Sequence, residues 1–203
     1  TGGEGGLLAL DDDDLWQKAW AYKDIGRSFD AVFHRQHPPG FRWLTESFGT
    51  NWRMTEMQAA IGRIQLRKLP DWVSRRRENA SVLTEGFSRI PGLRVTPPGE
   101  GIGHAYYKYY VFIEPDRLKP GWDQLRIMDA IVAQGVPVSV GSCSEIYLEK
   151  AFVDMGLGPK ERLPVARNLG VTSLMFPIHH TLSRGSLRHI IDVVEKTMGE
   201  AVA

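Results

Sequence analysis

The sequence predicts an α/β chain whose larger part is a small α+β domain, built as linking helices followed by a small sheet covered by helices. Three observations carry this expectation. Two helical patterns abut at Pro70 and together run from Thr55 to Ile90. An aromatic and β-branched run occupies Tyr106 to Ile113, the composition of a half-buried strand. From Leu93 onward, short strand patterns and amphipathic helical patterns follow one another to the end of the chain.

The elements follow in order. Thr1-Gly2-Gly3-Glu4-Gly5-Gly6 reads as a glycine-rich turn feeding a short strand over Leu7-Leu8-Ala9-Leu10. The acidic run Asp11 to Asp14 suits the N-terminus of a helix through Leu15 to Tyr22, since carboxylates cap free N–H groups and face the positive end of the dipole. That helix is expected to end near Gly26, and residues 27–50 read as a long irregular loop. Thr55-Glu56-Met57-Gln58 has the spacing of a capping box, with Met54, Met57, Ile61 and Ile64 recurring on one face up to Leu69. Pro70 stops that helix and Asp71 caps the next, in which Val73, Arg77, Ala80, Leu83 (or Val82), Phe87 and Ile90 keep one face mostly apolar. With only a proline between them, the two helices should form a bent or nearly continuous pair.

Beyond Pro91-Gly92, Leu93-Arg94-Val95 is a short strand and Tyr106 to Ile113 a strong one. Trp122 to Gln134 reads as a helix ended by Gly135. Val136 to Val140 is a strand whose Pro137 argues for an edge. Residues 144–153 and 161–169 read as short helices, and Val171 to Phe176 as another strand. Ser186 caps a last helix that buries Leu187, Ile190, Ile191, Val194 and Met198. The organisation expected is a body over 1–70, a linking helix over 71–91, and a small α+β domain over 92–203.

Composition excludes several classes. Of 203 residues, 42% are apolar and 24% charged, an ordinary globular balance rather than a disordered or fibrous one. A net charge of +1 gives no general attraction to nucleic acid or to an acidic membrane surface. Arg75-Arg76-Arg77 is the densest basic spot, but Glu78 follows and the run lies in a helical pattern, so a solvated helix face is the favoured reading. No apolar run approaches the length of a membrane helix. A single cysteine forbids an internal disulfide and fits a reducing cytoplasm. The chain opens without Met on a strand that has no neighbour upstream, which reads as a piece cut from a larger protein.

Few segments carry chemistry. The opening glycines lack both the lysine of a P-loop and the spacing of a dinucleotide fingerprint, so a plain turn is favoured. Cys143, between Ser142 and Ser144, makes a Cys-His nucleophile conceivable with His179-His180, but the surrounding residues match no nucleophile elbow. His179-His180 has no further ligand at metal-binding spacing, and no metal is expected. The segment Phe48 to Gly62 differs. It sets Gly49, the amide of Asn51 and the guanidinium of Arg53 just ahead of a helix N-terminus, a seat for a phosphate group.

Those residues carry a resemblance. Gly49-x-Asn51-x-Arg53-Met54-Thr55-Glu56-Met57-Gln58-Ala59-Ala60, followed by Gln65-Leu66-x-Lys68-Leu69, resembles the helix signature of the DegT/StrS sugar aminotransferases. Thr1 to Gly6 resembles the stretch that follows their cofactor lysine. Tyr106-Tyr107-x-Tyr109, Gly135-Val136-Pro137 and Leu174-x-Phe176-Pro177 stand in the matching order, so the likeness covers essentially the whole chain.

The resemblance implies the C-terminal portion of a fold-type-I, pyridoxal-phosphate-dependent enzyme that works as a homodimer in the cytoplasm. Such enzymes pass an amino group, usually from glutamate, to a nucleotide-linked keto sugar, in amino-sugar and cell-surface polysaccharide biosynthesis. Residues 1–70 would then be a remnant of the large cofactor-binding domain. The Schiff-base lysine is expected upstream of Thr1, as is the aspartate that pairs with the pyridine nitrogen, and none of Lys18, Lys23 or Lys68 stands in the matching context. This portion by itself is therefore expected to be inactive.

Asn51 matches the position that reaches across the dimer to the partner's cofactor phosphate, with Arg53 beside it, and the loop from Phe41 to Phe48 would lie near the partner's active site. Where many members carry a His-Tyr-like pair facing substrate, this chain reads Val140-Gly141-Ser142-Cys143-Ser144, which leaves the sugar undefined. Ser142, Cys143 and, after Phe176-Pro177, His179 are the substrate-contact candidates. A non-catalytic regulatory or binding member of the same family remains the alternative, because the lysine position lies outside the sequence.

Overall fold

The computed structural model describes residues 2–40 and 42–203. Thr1 of the glycine-rich turn and Phe41 of the expected interface loop lie outside the described residues. The chain divides into two units, Thr1–Leu69 and Pro70–Ala203, and the boundary falls inside one helix.

In the first unit, α1 (Asp13–Lys23) is capped by the Asp12 carboxylate, which accepts from Leu15 N at 2.8 Å. Residues 7–10 do not form the expected strand: no strand partner pairs with them among the described residues, and Leu7 is 92% exposed. The region after α1 holds a short helix that periodicity did not announce, α2 (Phe29–Phe33), capped by Ser28 Oγ. Phe29 draws it back to α1, with edge-on contacts to Trp16 and Trp20 at 5.2 Å each. Gly26 ends the α1 corner at φ +75°, where an added Cβ would lie 1.7 Å from Ser47 O, so this turn admits only glycine.

Helix α3 (Glu56–Phe87) runs unbroken through Pro70, so the expected pair is one helix. Its start is the capping box read from sequence: Gln58 N donates to Thr55 Oγ1 at 3.3 Å, and Thr55 N donates back to Gln58 Oε1 at 3.2 Å. Asp71 caps nothing, since it lies within the helix.

The second unit is built on a three-stranded antiparallel sheet in the order β1 (Leu93–Val95), β2 (Lys108–Ile113), β3 (Ser173–Pro177). Alternation along β2 turns Tyr109, Val111 and Ile113 into the core and leaves Lys108, Tyr110 and Phe112 half-buried on the other face. The core joins those residues to Leu83 and Phe87 of α3, Ile127 and Ile131 of α4 (Gln124–Val132), and Leu187, Val194 and Met198 of α7 (Arg184–Ala201). Between α4 and β3 lie α5 (Lys150–Asp154) and α6 (Pro164–Thr172).

Two expectations shift. Residues 136–140 contribute only an isolated bridge, with Ser139 N donating to Met175 O at 3.0 Å and Met175 N to Ser139 O at 2.7 Å. Pro137 lacks the N–H a longer ladder needs. The cap of α7 is Ser183, whose Oγ accepts from Ser186 N at 3.0 Å.

Candidate functional site

Asn51 and Arg53 sit on the segment between α2 and α3, and the end of α1 holds that segment in place. Thr50 N donates to Tyr22 O at 2.7 Å, Ile25 N to Thr50 O at 3.1 Å, and Trp52 N to Lys23 O at 2.9 Å. Asp24, opposite Asn51 in an isolated antiparallel bridge, is the buried anchor of the group. Its side chain is 7% exposed, with Arg53 Nε 3.0 Å and Arg27 Nη2 3.5 Å from Oδ1. Arg53 Nε also donates to Asn51 Oδ1 at 3.2 Å. A buried carboxylate thus orients a half-exposed guanidinium and, through it, an exposed amide. Sequence reading missed Asp24; the signal was a lone acidic residue ending a helix, which local pattern cannot tell from an ordinary cap.

The donor set suits an anion. Arg53 engages Asp24 and Asn51 through Nε, so the terminal nitrogens of its fork face no acceptor among the described residues. These residues fit the phosphate of pyridoxal phosphate, which is one end of that cofactor. Lys23 lines the same cleft as Arg53, with its Nζ 4.4 Å from the Trp20 ring centroid. No cluster of His, Cys, Asp or Glu suited to a metal ion occurs among the described residues, and no described helix is long and apolar enough to cross a membrane.

In the second unit, Ser142 and Cys143 lie on a loop fixed at both ends. At one end, Ser142 N donates to Tyr110 Oη at 3.2 Å, and the Ser142 and Tyr110 hydroxyls lie 3.2 Å apart. Gly141 makes this approach possible at φ +94°, where an added Cβ would lie 2.5 Å from the Tyr110 ring. At the other end, Arg162 grips Glu145 with two hydrogen bonds, Nε at 2.7 Å and Nη2 at 2.6 Å. Tyr147 Oη adds a third at 2.5 Å and itself accepts Leu163 N at 3.0 Å. The Arg162 bonds first, then the Tyr147 bond, hold Glu145 down at about 2.

Cys143 is an exposed free thiol between these anchors, with Sγ 3.8 Å from Glu149 Oε1. The contact of the thiol is a carboxylate and not an imidazole, so the Cys-His pair is not assembled. His179 is on a separate loop after β3, its Nδ1 2.6 Å from Thr181 Oγ1, and its carbonyl accepts from Asn79 Nδ2 at 2.9 Å. His180 stacks on Trp72 at 4.6 Å. The structure therefore places Ser142 and Cys143 on one loop and His179 on another.

Arg75 to Arg77 is not the plain solvated face the run suggested. Arg76 Nη1 donates to Tyr106 O at 3.0 Å and Tyr107 O at 3.2 Å, and Arg77 Nε to His104 O at 2.9 Å. Only Arg75 keeps to its own helix, paired with Glu78 at 2.8 Å.

A mixed helical chain around this small sheet is part of the fold-type-I aminotransferase fold: the X-ray structure of the aminotransferase from Psychrobacter cryohalolentis matches with a TM-score of 0.87 and 46% identity, over 95% of this chain and 51% of that one. The model of the DegT/DnrJ/EryC1/StrS aminotransferase family matches residues 1–195, and the chain belongs to that family. The family is one of pyridoxal-phosphate-dependent sugar aminotransferases. The erythromycin biosynthesis sensory transduction protein EryC1 of Saccharopolyspora erythraea is 31% identical over 151 residues, 74% of this chain and 38% of that protein. The dTDP-4-dehydro-2,3,6-trideoxy-D-glucose 4-aminotransferase of Saccharopolyspora spinosa is 27% identical over 209 residues, 97% of this chain and 49% of that protein. The chain spans about half the length, or less, of the curated relatives it matches.

Proposed function

We propose that this chain is the C-terminal part of a cytoplasmic, homodimeric aminotransferase that moves an amino group from glutamate to a nucleotide-linked keto sugar. The observation that carries this reading is the Asp24-held Arg53 beside Asn51. In it, Asn51 and Arg53 grip the cofactor phosphate of the partner subunit. Pyridoxal phosphate, when bound, supplies an electron sink for amino-group transfer. The buried Asp24 keeps the guanidinium aimed without adding a negative charge at the surface. Ser142 and Cys143 meet the sugar from a loop held rigid by Tyr110 and Arg162, and His179 borders the same substrate from its own loop. The lysine that bonds the cofactor is supplied from outside these 203 residues, so they are inactive alone.

The test uses the protein that contains this chain, purified with pyridoxal phosphate and given glutamate and a panel of nucleotide-linked keto sugars. Cofactor absorbance that changes with glutamate, and a product heavier by the keto-to-amine exchange, are expected; the 203-residue chain run alongside should give neither. A parent protein that binds no cofactor would overturn the reading. That result favours a non-catalytic regulatory member, which the naming of EryC1 as a sensory transduction protein keeps in view.

A further inference from the structure

Gln58 joins two segments that stand 54 residues apart in the chain. Its amide faces both ways. Oε1 accepts from Thr55 N at 3.2 Å and from Thr55 Oγ1 at 3.0 Å, while Nε2 donates to Glu4 O at 3.0 Å. The bonds to Thr55 belong to the capping box of α3. The bond to Glu4 is no part of that helix and fastens the glycine-rich turn to it. Among the described residues it is the one hydrogen bond that residues 2–6 make.

The turn is shaped for this approach. Gly3 takes φ +82°, a conformation that favours glycine. A Cβ added at Gly5 would lie 3.0 Å from Met54 Cε, and one at Gly2 would lie 3.4 Å from Gln58 O. Glu4, Gly5 and Gly6 line one cleft with Arg53, Met54 and Gln58. The turn and the Arg53 segment are thus two walls of that cleft, and half-buried Gln58 is the fastening between them.

The two ends of the amide have different requirements. Thr55 N–H is a donor and needs an acceptor, whereas Glu4 O is an acceptor and needs a donor. The cap alone would be served by glutamine or by glutamate. The second bond requires glutamine. We propose that Gln58 is a positioning residue for amino-group transfer. It fixes the turn, and with it the cofactor lysine that precedes the turn, at a set spacing from Asn51 and Arg53. The proposal rests on the reading above, in which that lysine lies upstream of Thr1 and Asn51 and Arg53 grip the partner's cofactor phosphate. Gln58 acts through the backbone of Glu4, so its loss displaces the lysine stretch and leaves the helix standing.

Two variants of the protein that contains this chain separate the bonds. Gln58→Glu keeps the cap and removes the donor to Glu4 O. Thr55→Ala removes the hydroxyl of the cap and keeps that donor. On the cofactor-free protein, hydrogen exchange at residues 2–6 should quicken in Gln58→Glu and not in Thr55→Ala. The melting temperature should fall in Thr55→Ala and hold in Gln58→Glu. With pyridoxal phosphate bound, Gln58→Glu should shift the pH at which the cofactor absorbance changes. It should also weaken cofactor retention about three- to tenfold, a loss that persists at high salt, where the added charge is screened. Thr55→Ala should leave both cofactor readouts at their original values. Exchange and cofactor absorbance untouched by Gln58→Glu overturn the proposal. Equal damage from the two variants overturns it as well, since that marks a helix cap and nothing more. In either case, cofactor binding by the unaltered protein leaves the aminotransferase reading standing, whereas an unaltered protein that binds no cofactor overturns both.

Discussion

Arg53 Nε lies 3.0 Å from Oδ1 of Asp24, a carboxylate 7% exposed at the end of α1, and the same nitrogen donates to Asn51. The pair joins a buried charge to a half-exposed one, so it both closes the first unit and aims the guanidinium outward. Removing the carboxylate leaves Arg53 and Arg27 without that anchor. Asp24→Ala should therefore destabilise the first unit by about 1–3 kcal/mol, the exposed end of Arg53 tempering the loss. Urea unfolding followed by tryptophan fluorescence measures it. In the parent enzyme, Arg53→Ala should weaken pyridoxal phosphate by about tenfold or more, read by cofactor titration.

Glu145 gives an acid dependence. Its folded pKa of about 2 lies below the ordinary 4.5, chiefly because of Arg162 and next because of Tyr147. The folded chain binds this proton more weakly than the unfolded chain. The stabilisation is thus complete above about pH 5 and is lost as pH falls toward about 2. Denaturation of the parent and of Glu145→Gln at a series of pH values should show a gap that is widest near neutrality and closes in strong acid. A gap independent of pH would contradict the Arg162 assignment.

Tyr109 predicts the opposite limb. Burial pushes its hydroxyl up to about 12, against a smaller opposing effect from its hydrogen bond with Thr84 at 2.8 Å. Here the folded chain holds the proton more tightly. This contribution is intact below about pH 10 and lost as pH rises through about 12. Ultraviolet titration should find one tyrosine ionising late, and Tyr109→Phe should remove that step.

Gly86 sets the approach of α3 to α7. A Cβ there would lie 2.6 Å from Ile191 Cδ1 and 2.8 Å from Cγ1. Alanine improves helix propensity by about 1 kcal/mol, yet overpacking costs about 1–3 kcal/mol, so Gly86→Ala should lower the melting temperature. Adding Ile191→Ala should recover part of the loss that Gly86→Ala causes, because it removes the atoms in conflict.

Much of the fold was legible in local sequence because its causes are local. The capping box of Thr55 and Gln58, the alternation along β2 and the apolar face of Ala80, Leu83 and Phe87 each follow from neighbours within a few residues. The missed elements have distant causes. Helix α2 depends on Phe29 meeting Trp16 and Trp20, and the Val136 to Val140 strand shrinks to the bridge at Ser139 because Pro137 withholds a donor. Arg76 and Arg77 look solvated until the carbonyls of His104, Tyr106 and Tyr107 come within reach.

For the candidate site the division is the same. Sequence alone determined the residue types, the Asn51-x-Arg53 spacing ahead of a capped helix and the departure at Ser142-Cys143, because these are properties of adjacent positions. Only tertiary structure decided that Asp24 holds Arg53, that Tyr110 and Arg162 pin the Ser142 loop, and that Arg76 and Arg77 hold the carbonyls of His104, Tyr106 and Tyr107. Each of those is a meeting of side chains from separate segments, brought within hydrogen-bonding or packing distance by the burial of a shared core, and no local pattern encodes it.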